Sequence, residues 1–74
     1  MAKTTASTTA VRILRTLRLL LRTTHGLTIH ELVAQSGGRD AKTIRRDLIA
    51  IRQSGFTLIE TVEDYGRKRF SVVA

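Results

Sequence analysis

The stretch from Asp40 to Phe56, DAKTIRRDLIAIRQSGF, constrains the fold of this chain more than any other. Asp40 is a good N-cap, because its carboxylate can accept from the first free backbone N–H groups of a helix, and Gly55 suits the left-handed position just past a helix end. Between these caps, at about 100° per residue, Ile44, Leu48 and Ile51 fall on one narrow arc while Lys42, Arg45 and Arg46 project away from it. The segment predicts an amphipathic helix, fixed to a core by one stripe and cationic on the other side, that runs straight into a strand.

The chain has 74 residues, which makes one small domain near the lower limit for folding without a staple. It has no cysteine and no metal-like cluster, so the core must come from leucine, isoleucine and valine, alone or shared with a dimer partner. No signal peptide or apolar membrane span is visible, and a cytoplasmic protein is the expectation. The net charge is +7 and the pI about 11.4. Ten of the thirteen cations are arginine, whose planar fork matches phosphate and guanine, and they cluster in blocks rather than scatter. A surplus that large on so small a body attracts polyanions. Nucleic acid is the leading partner and an anionic membrane the next.

Residues 1–9 are rich in threonine, serine and alanine without apolar periodicity and read as a disordered tail, with residues 10–74 as the domain. A helix is expected from a start near Ser7 or Thr8, or from Ala10, through Thr23. Ile13, Leu14, Leu17, Leu20 and Leu21 would face the core, with Arg12, Arg15, Arg18 and Arg22 opposite. Gly26 is expected to end it. Val11 and Leu19 lie among the arginines as chance exposed apolars or as a dimer seam. Thr28 to Glu31 has the T-x-x-E spacing of a capping box, which starts a short second helix that Ser36, Gly37 and Gly38 stop. Two short helices joined by a glycine-containing turn, the second of them basic, form a helix-turn-helix pattern.

After Gly55 the period changes to two. Phe56, Leu58 and Val62 alternate with Thr57, Ile59 and Thr61, Glu63 to Gly66 is a turn, and Arg67 to Val73 returns with Phe70 and Val72 inward. That hairpin carries Arg67, Lys68 and Arg69 near its tip and reads as a wing. The fold class is small α+β: a winged helix-turn-helix, three helices followed by a two-stranded β-hairpin wing.

GLTIHELVAQSG, then TIRRDLIAIRQSGF, then YGRKRF resembles the winged helix-turn-helix DNA-binding domain of DeoR-type bacterial transcriptional regulators, including the N-terminal domain of WYL-type regulators. The resemblance covers most of the chain. It implies that Thr43, Arg45 and Arg46 face DNA, that Ile44 and Leu48 fill the core, and that Asp47 is a structural acid near the base of the helix. The family usually has serine where Asp40 stands and a shorter apolar turn such as G-V-S where this chain has Ser36 to Arg39. A carboxylate repels phosphate, so Asp40 is expected to cap rather than to touch DNA. Those regulators also carry a long effector-binding or oligomerising domain after the wing, which the resemblance here does not reach.

An enzyme is not expected. His25 and His30 are the only histidines, Glu31 is explained by the capping box, and the glycines lack phosphate-loop spacing. No cofactor, metal or small-molecule effector site is expected either. The expected function is that of a stand-alone, sequence-specific regulator of transcription, a small repressor that places the helix starting at Asp40 in the major groove of double-stranded DNA. The residues expected at the duplex are Ala41, Lys42, Thr43, Arg45 and Arg46 on that helix, and Arg39, Tyr65, Arg67 and Lys68 in the turn and wing. A homodimer is expected to form mainly on DNA, with Val11, Leu19 and Val73 as its seam. The alternatives are an excisionase-like architectural DNA-binding protein and a winged-helix interaction module for an acidic partner.

Overall fold

A computed structural model describes residues 8–37 and 40–73. Helix α1 spans Thr8–Arg22, α2 Ile29–Ser36 and α3 Ala41–Gln53, followed by strands β1, Thr57–Val62, and β2, Lys68–Val73. The two strands pair antiparallel with Leu58 opposite Val72 and Glu60 opposite Phe70. Three helices and a hairpin give the winged-helix-like α+β arrangement that the sequence predicts.

Helices α2 and α3 begin where the local chemistry says they should. The Thr28 hydroxyl accepts from the Glu31 N–H at 3.2 Å while the Glu31 carboxylate accepts from the Thr28 N–H at 2.8 Å, a complete capping box. Asp40 accepts from the Thr43 N–H at 2.8 Å. Gly37, at φ +80°, closes α2 in the left-handed conformation. Helix α1 starts at Thr8, so Thr8 and Thr9 belong to the domain rather than to a tail; the rest of the expected tail lies outside the described residues.

The core joins the three helices and β2 through Leu20, Leu32, Ile44, Leu48, Ile51, Phe70 and Val72, and Leu58 of β1 packs against it. The expected stripe of α3 is buried as written, and of the expected face of α1 Leu20 is buried and Ile13 and Leu17 pack against the core, but two of its residues are not. Leu14 is 64% exposed and Leu21 40%, whereas Thr16 is fully buried and Leu19 packs against the core. The hydroxyl of Thr16 donates to the Arg12 carbonyl at 2.9 Å, which satisfies it in an apolar setting. Arg12 itself leaves the arginine face to reach Asp47 on α3. Leu19 packs against the core and Val11 is half-buried, so neither is the exposed apolar position that a seam was expected to use. Val73 stays exposed, and Leu14 and Leu21 are the open apolar positions of α1.

Helix α1 ends at Arg22, before Gly26. Gly26 serves a different purpose: at φ +84° it lies under β2, where an added Cβ would stand 2.9 Å from the Arg69 Cβ. The next residue, Leu27, forms a β-bridge with Phe70, exchanging two backbone hydrogen bonds of 2.8 Å. Of the expected inward residues of β1 only Leu58 packs on the core, and Phe56 and Val62 are exposed. The alternation shows in β2, while in β1 every residue but Leu58 is exposed; beyond the Glu60–Phe70 pair Arg69 still reaches Gly26 and Glu31, and Val62 and Lys68 are exposed.

Candidate nucleic-acid interface

Helix α3 is held from three directions. Ile44, Leu48 and Ile51 are buried beneath it, Asp40 caps its start, and Asp47, 2% exposed, ties it to α1. The Arg12 fork is bidentate: Nε donates to Asp47 Oδ2 at 2.6 Å and Nη2 to Oδ1 at 2.9 Å. Such parallel hydrogen bonds fix both angle and distance, so the pair sets the pitch of α3 against α1. The hydrogen bond to Asp47 raises the Arg12 pKa above its ordinary value.

On the outward face of α3, Lys42, Arg45, Arg46, Ile49 and Arg52 are exposed. None of these four cations makes a salt bridge among the described residues. Ala41 and Thr43 are half-buried at the start of the helix, and the Thr43 backbone N–H is engaged by Asp40. Arg39 lies outside the described residues.

The hairpin sorts its own cations. Arg69 is structural: its Nη1 donates to the Gly26 carbonyl at 3.0 Å and approaches Glu31 at 3.4 Å, and its Nε reaches Glu63 at 3.0 Å. Lys68 pairs with Glu60 at 3.2 Å, an exposed pair of the kind that water and salt screen. Arg67 has no salt bridge among the described residues and is exposed. Tyr65, expected at the duplex, stands 99% exposed at the tip. The turn beneath it is closed by the Glu63 N–H on the Arg67 carbonyl at 2.7 Å.

Between α3, the start of α2 and the hairpin lies an open groove of about 810 Å³, bordered by Ile49 and Leu58, by Arg45, Arg52 and Arg67, and by the carboxylate of Glu31. A second hollow of about 560 Å³ lies on the other side of α3, bordered by Thr8, Thr9, Thr43 and Arg46. The exposed helix is thus flanked on both sides by concave, cation-bearing surface. Arg52 and the groove-lining His30 were not among the expected contacts. The signal for Arg52 was present, since it continues the i, i+3, i+7 row of Lys42, Arg45 and Ile49.

The Glu31 carboxyl is held below its ordinary pKa of 4.5, first by the hydrogen bond from the Thr28 backbone N–H. Burial opposes this, and the Thr28 side chain with the charges of Arg69 and Arg67 adds to it. No group of three or more histidine, aspartate or glutamate residues that could hold a metal ion occurs among the described residues, and no described helix is long and apolar enough to cross a membrane.

Comparison with protein-family models, with curated proteins and with solved structures found no match.

Proposed function

We propose that this chain is a sequence-specific, double-stranded-DNA-binding regulator of transcription, a small repressor that inserts α3 into the major groove. One observation carries the reading. The outward face of α3 bears four cations with no salt bridge among the described residues, on a helix whose opposite face is locked into the core. A groove about 12 Å wide admits one such helix. Its sugar-phosphate walls would then run along the two hollows that flank α3, and Arg46 and Arg67 would meet them from opposite sides. Lys42, Thr43 and Arg45, in the first turns, are the side chains best placed for base edges.

One recognition helix reads few base pairs, and each mismatch is worth only about 1–3 kcal/mol, so a site chosen from a genome calls for two chains. Repulsion between two bodies of charge +7 favours pairing on DNA, where phosphates screen them.

The test is a gel-shift titration of a random duplex across a salt series, followed by selection of bound sites. A steep fall of affinity with salt and recovery of a palindromic consensus are expected. Failure to bind any duplex would overturn the reading in favour of a module for an acidic protein partner. A non-palindromic site holding strongly bent DNA would replace the repressor with an architectural factor.

A further inference from the structure

Beside Lys42, close to the centre of the outward face of α3, stands an apolar residue. At about 100° per residue, Ile49 falls midway between Arg52 and Arg45 on one side and Gln53 and Arg46 on the other, with Lys42 close to its own direction. It is 46% exposed, while its neighbours Leu48 and Ile51 supply the core. A β-branched residue gains nothing intrinsic from an exposed helical position, where lysine, arginine or glutamine would be more favourable.

We infer that Ile49 reads bases, its side chain packing against the C5 methyl group of a thymine in the floor of the major groove. Thymine is the only base of unmodified DNA that presents a methyl group there, and apolar side chains recognise it by contact. The inference rests on the DNA-binding reading above and adds to it a base identity and a position. Ile49 lies one helical turn beyond Arg45, about 6 Å along the axis. That advance is about two base pairs, so the thymine belongs about two steps from the base that Arg45 meets.

The experiment replaces each thymine of a selected site in turn by deoxyuridine, which lacks only the methyl group, and measures affinity for the wild-type chain and for Ile49→Ala. One replacement per half-site should weaken the wild type about fourfold, the scale of burying one methyl group. Ile49→Ala, folded by circular dichroism, should bind the thymine duplex as weakly as the wild type binds the deoxyuridine duplex and be indifferent to that replacement. Ile49→Val should retain part of the discrimination. Absence of any thymine whose methyl group matters, or a methyl effect that survives in Ile49→Ala, would overturn the inference while leaving DNA binding intact. If no duplex is retained at all, the DNA reading falls and this inference with it.

Discussion

The Arg12 guanidinium clasps both carboxylate oxygens of Asp47, one residue from the first helix and one from the third, and the two partners are unequally buried. The Asp47 side chain is 2% exposed and that of Arg12 17%. Removing the arginine therefore strands a buried carboxylate, whereas removing the aspartate leaves a guanidinium that can turn to water. Arg12→Ala should lower the melting temperature more than Asp47→Ala does. The double replacement Arg12→Met with Asp47→Leu should melt closer to the wild type than Arg12→Ala. Equal losses from the two single changes would show that the carboxylate is better hydrated than its burial implies.

The two groups of groove cations should separate in binding. Arg45→Ala is expected to lose roughly 1–3 kcal/mol of discrimination between a selected site and random duplex with the fold unchanged, as a bidentate guanine contact would. Arg67→Ala should weaken all duplexes alike and reduce the log–log salt slope by about one unit. Lys68→Ala should change it less, because Glu60 already partly neutralises that lysine. A change in slope as large for Lys68 as for Arg67 would mean that the Lys68–Glu60 pair opens on DNA.

The capping box gives a pH dependence of stability. Glu31 has a lower pKa folded than unfolded, so its contribution is fully present above the unfolded value near 4.5 and is lost as the pH falls through the depressed folded value. Glu31→Gln keeps an acceptor for the Thr28 N–H but loses the charge. It should melt slightly below the wild type at pH 7, the gap closing below about pH 4.5. Thr28→Ala should be destabilised by about 0.5–2 kcal/mol, the usual range for losing a cap.

Gly26 and Gly66 both have positive φ but differ in surroundings. Gly26→Ala adds the left-handed cost of roughly 1–2 kcal/mol to a collision with β2, while the Cβ of Gly66→Ala meets nothing within 4 Å. Chemical denaturation should find Gly26→Ala the less stable of the two.

Analytical ultracentrifugation should find a monomer at micromolar concentration in free solution and two chains on a selected palindromic site. Leu14→Glu with Leu21→Glu, at the open apolar positions of α1, should leave the fold intact and reduce the two-chain complex to one. An unchanged two-chain complex would locate the contact elsewhere.

The parts of this fold that were legible in the sequence are those set within a few residues of each other. The Thr28–Glu31 box, the Asp40 cap and the stripe of Ile44, Leu48 and Ile51 need only helical spacing to be recognised. The facing of α1 is legible in Ile13, Leu17 and Leu20 but not at its edges, because those depend on Asp47, a residue of another helix, and on a threonine whose hydroxyl is satisfied within α1. Local periodicity counted Leu14 and Leu21 as core and could not weigh a long-range ion pair against them. On the outward face of α3, Lys42, Arg45 and Arg46 stand out by charge, but Ile49 does not, because an apolar residue on a helix ordinarily reads as interior.

The Leu27–Phe70 bridge gives the wing a mechanical role. Phe70 is at once a core side chain and the residue whose backbone is stitched to the link between α1 and α2, so the base of the ribbon opens only with the body of the domain. Amide hydrogens at Leu27 and Phe70 should exchange at the rate of global unfolding, while those at Tyr65 and near the tip exchange freely. A pull on Arg67 would thereby reach the chain just ahead of α2, through the Leu27–Phe70 peptide pair and the neighbouring bond from Arg69 to the Gly26 carbonyl.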